Sequence, residues 1–170
     1  MYYRSVILDR DGVINKLRHD YVLSSSQLIF IPNSLSAIAS MQFEGIKVSV
    51  ATNQSPIGRG LLKEKELSKI HNCINKNIYM PMNFYVCPHL PDDGCNCRKP
   101  NSGLLELIKT KVEGPHIFIG DNITDYQAAK KANIDFAFVQ SGHVIKRSYL
   151  VEKNIKVYSD LMEFWETLNL

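Results

Sequence analysis

The sequence predicts an α/β protein built on a doubly wound parallel sheet. Three observations carry that expectation. Short apolar runs recur along the chain, at residues 6–8, 48–54, 116–120, 136–139 and 155–158, with the length of buried strands. Longer segments of helical character separate or follow them, at residues 33–44, 63–77, 102–112, 124–132 and 160–168. Strands alternating with helices argue for βαβ units, with helices on both faces of a parallel sheet. Third, the polar residues that could do chemistry gather where apolar runs end, at the carboxyl ends of strands where open α/β sheets bind ligands. A length of 170 residues suits one core, so residues 1–170 are read as a single domain. The spacing leaves no room for a large inserted domain.

The first run, Val6-Ile7-Leu8, closes on Asp9-Arg10-Asp11-Gly12. Two carboxylates two residues apart would share a face if the strand continued. Gly12 allows the chain to leave the strand and turn. Such a pair is repulsive unless a cation, a shared proton or a substrate compensates it. The second run, 48–54, ends in Thr52-Asn53-Gln54, a hydroxyl and two amides. Cys97-Arg98-Lys99-Pro100 then sets a lysine in a loop ahead of the helix at 102–112. The run at 116–120 ends in Gly120-Asp121, with Asp125 four residues on, and Thr124 is the expected cap of the helix at 124–132.

A second constellation lies at Cys87-Pro88-His89 and Cys95-Asn96-Cys97, which bracket residues 90–94 and hold three of the four cysteines. Three thiolates and an imidazole suit a closed tetrahedral Zn²⁺ site. With all four positions filled, the ion would be structural and would staple a loop. The alternatives are a disulfide between Cys95 and Cys97, strained across one residue, or reduced thiols without a ligand. Cys73 is read as a packed or idle thiol.

Taken in order, Asp9-Arg10-Asp11-Gly12, Thr52, Lys99 and Gly120-Asp121 with Asp125 resemble the four motifs of the haloacid dehalogenase superfamily of phosphohydrolases. The resemblance implies that superfamily's Rossmann-like fold and a Mg²⁺-dependent phosphomonoesterase. Asp9 would be the nucleophile that forms an aspartyl-phosphate, and Asp11 the general acid, later the base toward water. Thr52 and Lys99 would steady the phosphoryl group. Asp9, Asp121 and the Asp11 position (through its backbone carbonyl) would hold Mg²⁺, with Asp125 orienting that shell.

The stretch from Cys87 to Pro100 is similar to the zinc loop of the D-glycero-D-manno-heptose 1,7-bisphosphate phosphatases and of the related histidinol-phosphate phosphatases. Leu8 to Asn15 and the run Thr52-Asn53-Gln54-Ser55-Pro56-Ile57-Gly58-Arg59-Gly60 resemble the heptose group, although Pro56 stands where a glycine is usual. That likeness implies removal of the C7 phosphate from heptose 1,7-bisphosphate, feeding nucleotide-heptose synthesis for surface polysaccharide. Arg18, His19, Asp20 and Tyr21 fall in its substrate-contacting loop, and Asn53, Gln54, Ser55 and Arg98 are further expected contacts. Histidinol phosphate is the competing substrate, and a zinc-stapled binding module without chemistry the competing class.

A formal net charge of +3 does not call for a nucleic-acid partner. Arg10, His19, Arg59, Arg98 and Lys99 would instead meet a small sugar bisphosphate; for Arg10 and Arg59 a solvated surface position competes. His71, His116 and His143 are expected to be structural or exposed. No apolar run is long enough to span a bilayer. Reduced-thiol zinc chemistry points to the cytoplasm, and a monomer is expected.

Overall fold

In a computed structural model, which describes residues 2–168, six parallel strands form one sheet in the order β3-β2-β1-β4-β5-β6. The strands are β1 (Ser5–Leu8), β2 (Lys47–Asn53), β3 (Asn83–Cys87), β4 (His116–Gly120), β5 (Asp135–Val139) and β6 (Lys156–Tyr158). The helices are α1 (Ser34–Phe43), α2 (Ser55–Gly58), α3 (Glu64–Asn75), α4 (Gly103–Lys109), α5 (Ile123–Ala132), α6 (Arg147–Glu152) and α7 (Leu161–Leu168). A 3₁₀ turn covers Ser25–Gln27. Chain order reverses between β1 and β4, which pair with Leu8 opposite Ile119. That switch point opens a crevice beyond the strands' carboxyl ends.

The central strands are apolar throughout because both faces are covered. Val6 and Leu8 of β1 point into a core shared with Ile38 and Met41 of α1 and with Phe164 and Trp165 of α7. Ile7, between them, points the other way, against Leu104, Leu105 and Ile108 of α4 and Ala128 and Ala129 of α5. Strand alternation of period two divides one apolar run between two cores. No connection carries a large cap, as the spacing predicts.

The elements differ from expectation in four places. β3 was not expected as a strand; its short apolar run Phe84-Tyr85-Val86 leads directly into Cys87, which reads with the cysteine loop as a candidate zinc ligand. The short helices α2 and α6 were also not anticipated. The cap of α5 is Asn122, not Thr124. The Asn122 side chain accepts from the Thr124 N–H at 3.1 Å, while the Asp125 carboxylate accepts from the Asn122 N–H at 3.1 Å, a reciprocal capping box.

Candidate active site

The chain leaves β1 at Leu8, and Asp9 takes its place in the ladder through a 2.9 Å bond from its N–H to the Ile119 carbonyl. Gly12 then turns the chain at φ +87°, a conformation that favours glycine. Its N–H closes the turn on the Asn15 carbonyl at 2.7 Å. The turn takes Asp11 off the strand direction, so the two carboxylates face different partners.

Asp9 Oδ1 accepts from the Arg10 N–H at 2.7 Å and lies 2.9 Å from Lys99 Nζ. Lys99 Nζ also lies 2.8 Å from Asp125 Oδ1 and donates to the Ala51 carbonyl at 2.9 Å. Burial, with Asp125 and Asp121 close by, raises the Asp9 pKa to about 7 against the pull of Lys99. Burial also raises Asp125. Lys99 is raised despite its burial, because Asp125 and Asp9 favour its charged form.

Asp11 is held by a separate set of donors. Arg10 forks onto both of its oxygens, at 3.0 and 2.8 Å. Asn15 and Gln54 add bonds of 2.8 and 3.1 Å. Burial alone would raise this carboxyl, yet Arg10, Asn15 and Gln54 hold it below the usual carboxylate range. Arg10 is only 1% exposed, so the solvated position considered for it is wrong. Nor is it a free cation for a distal phosphate, since its guanidinium is committed to Asp11 in the cleft wall. Sequence gave no sign of this, because an arginine between two aspartates reads as readily outward as inward.

The cleft encloses about 370 Å³. Asp9, Asp11, Thr52, Lys99, Asp121 and Asp125 all line it, as do Asn53, Gln54, Ser55, Arg98, Arg18 and Tyr21. His19 and Asp20, expected as substrate contacts, are exposed and lie outside its lining. Asp20 instead pairs with Arg18 at 2.7 Å, while Arg18 Nε donates to the Tyr21 carbonyl. Tyr21 sits at φ 64°, an uncommon conformation for an aromatic residue, at the cleft wall. Asn53 and Gln54 spend their amides within the protein. Asn53 makes reciprocal 3.1 Å bonds with the Lys99 backbone, and Gln54 Nε2 donates to Thr52 Oγ1 at 2.8 Å. Arg59, by contrast, lines the cleft on its exposed side. His143, expected to be structural or exposed, also lines it and contacts Asp121 at 2.6 Å.

Ligand atoms of Asp9, Asp121 and Asp125 lie within 4.8 Å of one another. Asp125 is already occupied by Lys99 and the Asn122 N–H. Asp121 Oδ1 is buried without a donor. A hard, oxygen-seeking divalent cation fits this set, with Asp9 and Asp121 to hold it and Asp125 behind them.

The cysteine loop gathers as expected. Cys87 Sγ lies 3.5 Å from His89 Nδ1 and 3.7 Å from Cys95 Sγ; Cys97 Sγ lies 3.2 Å from His89 Nδ1 and 3.6 Å from Cys95 Sγ. Zinc bonds of about 2.3 Å to sulfur and about 2.0 Å to nitrogen give tetrahedral edges of about 3.5–3.8 Å, so the four atoms fit one zinc ion. The 3.6 Å sulfur separation rules out the Cys95–Cys97 disulfide. The loop braces both halves of the site. The Cys87 carbonyl accepts from the Gln54 N–H at 2.7 Å, and Arg98 donates to the His89 carbonyl at 3.1 Å.

Comparison with known proteins agrees with this geometry. The family model described as Polynucleotide kinase 3 phosphatase matches residues 5–144. A D-glycero-beta-D-manno-heptose-1,7-bisphosphate 7-phosphatase of Pseudomonas aeruginosa is 37% identical over 153 residues, 83% of this chain and 83% of its own. A D-glycero-alpha-D-manno-heptose-1,7-bisphosphate 7-phosphatase of Campylobacter jejuni is 35% identical over 141 residues, 79% of this chain and 80% of its own. The crystal structure of D,D-heptose 1,7-bisphosphate phosphatase from B. bronchiseptica, complexed with magnesium and phosphate, superposes with a TM-score of 0.88 at 34% identity and covers 97% of both chains. With the switch-point carboxylates and the cysteine loop already in place, these matches establish that the chain belongs to the heptose-1,7-bisphosphate 7-phosphatase family, within the Polynucleotide kinase 3 phosphatase group of haloacid dehalogenase-type phosphohydrolases.

Proposed function

We propose that this chain is a Mg²⁺-dependent phosphomonoesterase that removes the C7 phosphate of D-glycero-D-manno-heptose 1,7-bisphosphate. The observation that carries the reading is Asp9 at the switch point, ion-paired with Lys99 at 2.9 Å and two residues ahead of Asp11. In this reading the carboxylate attacks phosphorus and gives an aspartyl-phosphate, while the C7 oxygen departs. Asp9 Oδ1 already accepts from Arg10 and Lys99, which leaves Oδ2 for the attack. Lys99 and the Thr52 hydroxyl hold the phosphoryl oxygens, and a Mg²⁺ held by Asp9 and Asp121 would supply further positive charge there.

Asp11 rests ionised, the state of a base. An arriving phosphate dianion raises its pKa by like-charge repulsion, so that Asp11 takes up a proton from water or from a protonated phosphate oxygen as substrate binds and delivers it to the departing oxygen. It then takes a proton from the water that hydrolyses the aspartyl-phosphate. Arg18, Arg59 and Arg98, which line the same cleft, match a substrate with a second phosphate. The zinc loop is read as structural, and the whole chain as one catalytic unit. The reading extends to a cytoplasmic monomer whose product, heptose 1-phosphate, supplies nucleotide-heptose synthesis.

The test is phosphate release, with Mg²⁺, from both anomers of heptose 1,7-bisphosphate, histidinol phosphate and a 3′-phosphorylated oligonucleotide. One of the bisphosphates is expected to give the highest kcat/KM, and Asp9→Asn to abolish turnover while remaining folded. Preference for histidinol phosphate or the oligonucleotide would overturn the substrate assignment. Full activity in Asp9→Asn would overturn the nucleophile.

A further inference from the structure

We infer that His143 is a positioning residue that fixes which oxygen of Asp121 faces the metal. The inference rests on the Mg²⁺ reading above and concerns a side chain outside the four motifs. Asp121 is fully buried, yet one of its oxygens is heavily used and the other is idle. Oδ2 accepts from the His143 N–H at 2.9 Å and lies 2.6 Å from His143 Nδ1. Oδ1 has no donor. The carboxylate is also wedged between two glycines. A Cβ at Gly12 or at Gly142 would overlap Asp121 Oδ2. Ser141 ties the same loop down, donating from its hydroxyl to the Gly12 carbonyl at 2.7 Å.

Residues 141–143 thus form a strap from the end of β5 across the turn after β1. An isolated carboxylate turns easily about its terminal torsion and offers either oxygen. Two donors on Oδ2 remove that freedom and leave Oδ1 for the cation. Partners of this kind behind a metal ligand are worth about 10–100-fold in metal affinity. His143 is 43% exposed along its side chain, so packing does not account for its place, and removing it should leave the core intact.

The experiment is Mg²⁺ titration by calorimetry at one pH on the purified protein, comparing wild type with His143→Ala and His143→Asn. Asn places an amide N–H close to where Nδ1 lies. His143→Ala should bind Mg²⁺ about tenfold more weakly, His143→Asn close to wild type, and the Mg²⁺ concentration for half-maximal activity should follow the same order. Equal Mg²⁺ affinity in wild type and His143→Ala overturns the inference alone. So does a selective loss of Mn²⁺ or Co²⁺ binding over Mg²⁺ in both variants, which would make the imidazole a direct ligand. A wild type that binds no Mg²⁺ overturns the metal reading and the inference with it.

Discussion

Without the Lys99 ammonium, Asp9 and Asp125 would share a buried site with Asp121 and no counter-charge of their own. Lys99 Nζ lies 2.9 Å from Asp9 and 2.8 Å from Asp125, and the residue is 3% exposed. Lys99→Met keeps the length of the side chain and removes the charge. Breaking a buried pair typically costs about 3–5 kcal/mol, and losing a donor aimed at the reacting group costs about 10²–10³ in kcat. Both losses are expected, the first by urea denaturation without metal and the second in steady-state kinetics. A variant as stable as wild type would mean that Lys99 relieves no carboxylate repulsion. At this scale the sequence was readable where function demands a residue type. Asp9, Asp11, Thr52, Lys99 and Asp121 all line one cleft. It was silent where a side chain chooses between water and a neighbour. Arg10 turned inward to Asp11 and His143 turned to Asp121, and each choice depends on a partner brought by folding.

At the scale of elements, the cysteine loop and α5 hold those residues in place. Gln54, Gly58 and Arg98 all bond backbone carbonyls within residues 87–89, so the cysteine cluster braces both the end of β2 and the lysine loop. Cys95→Ser should lower bound zinc, lower the melting temperature, and reduce kcat/KM through Arg98 and Lys99. Metal analysis and thermal melting check this, and an unchanged zinc content would refute it. Asn122→Ala removes the side-chain half of the α5 capping box and should cost about 1 kcal/mol in denaturant unfolding. Thr124→Ala should cost less, since the N–H that donates to that cap is kept and only the hydroxyl's longer 3.3 Å bond to Asn122 Oδ1 is lost. Helices and inner strands were legible because their periodicities are long or wholly apolar. β3 was not, although Phe84-Tyr85-Val86-Cys87 is an unbroken run of strand formers, because Cys87 reads with the loop that follows; at the sheet edge, paired with β2, the run is only partly buried. The cap was misassigned because Asn122 and Thr124 are both good capping residues, and only backbone geometry separates them.

Across the whole molecule, buried ionisable groups make stability depend on pH, and His71 gives the clearest case. It sits on α3, stacked on Phe84 of β3 with ring centroids 3.9 Å apart, and its Nε2 lies 3.5 Å from the Arg10 guanidinium. Burial, with Arg10 beside it and only partly offset by Asp11, lowers its pKa to about 3. In the unfolded chain it returns to about 6.5. Between those values the unfolded chain binds a proton that the folded one refuses, so stability rises with pH through this window and is lost as pH falls below 6.5. Asp9 contributes with the opposite sign. Its raised folded pKa, about 7, favours the metal-free fold at low pH and weakens it as pH climbs from 4 to 7. The two slopes overlap, so a wild-type curve alone would hide both. A variant that removes only the histidine separates them. His71→Gln keeps a neutral polar group facing Arg10 and cannot titrate. It should lose less stability than wild type between pH 7 and pH 5 in metal-free urea unfolding, so that the two midpoints converge in acid. Parallel midpoints would show that His71 takes up its proton at the same pH folded as unfolded, so that neither burial nor Arg10 holds its pKa down.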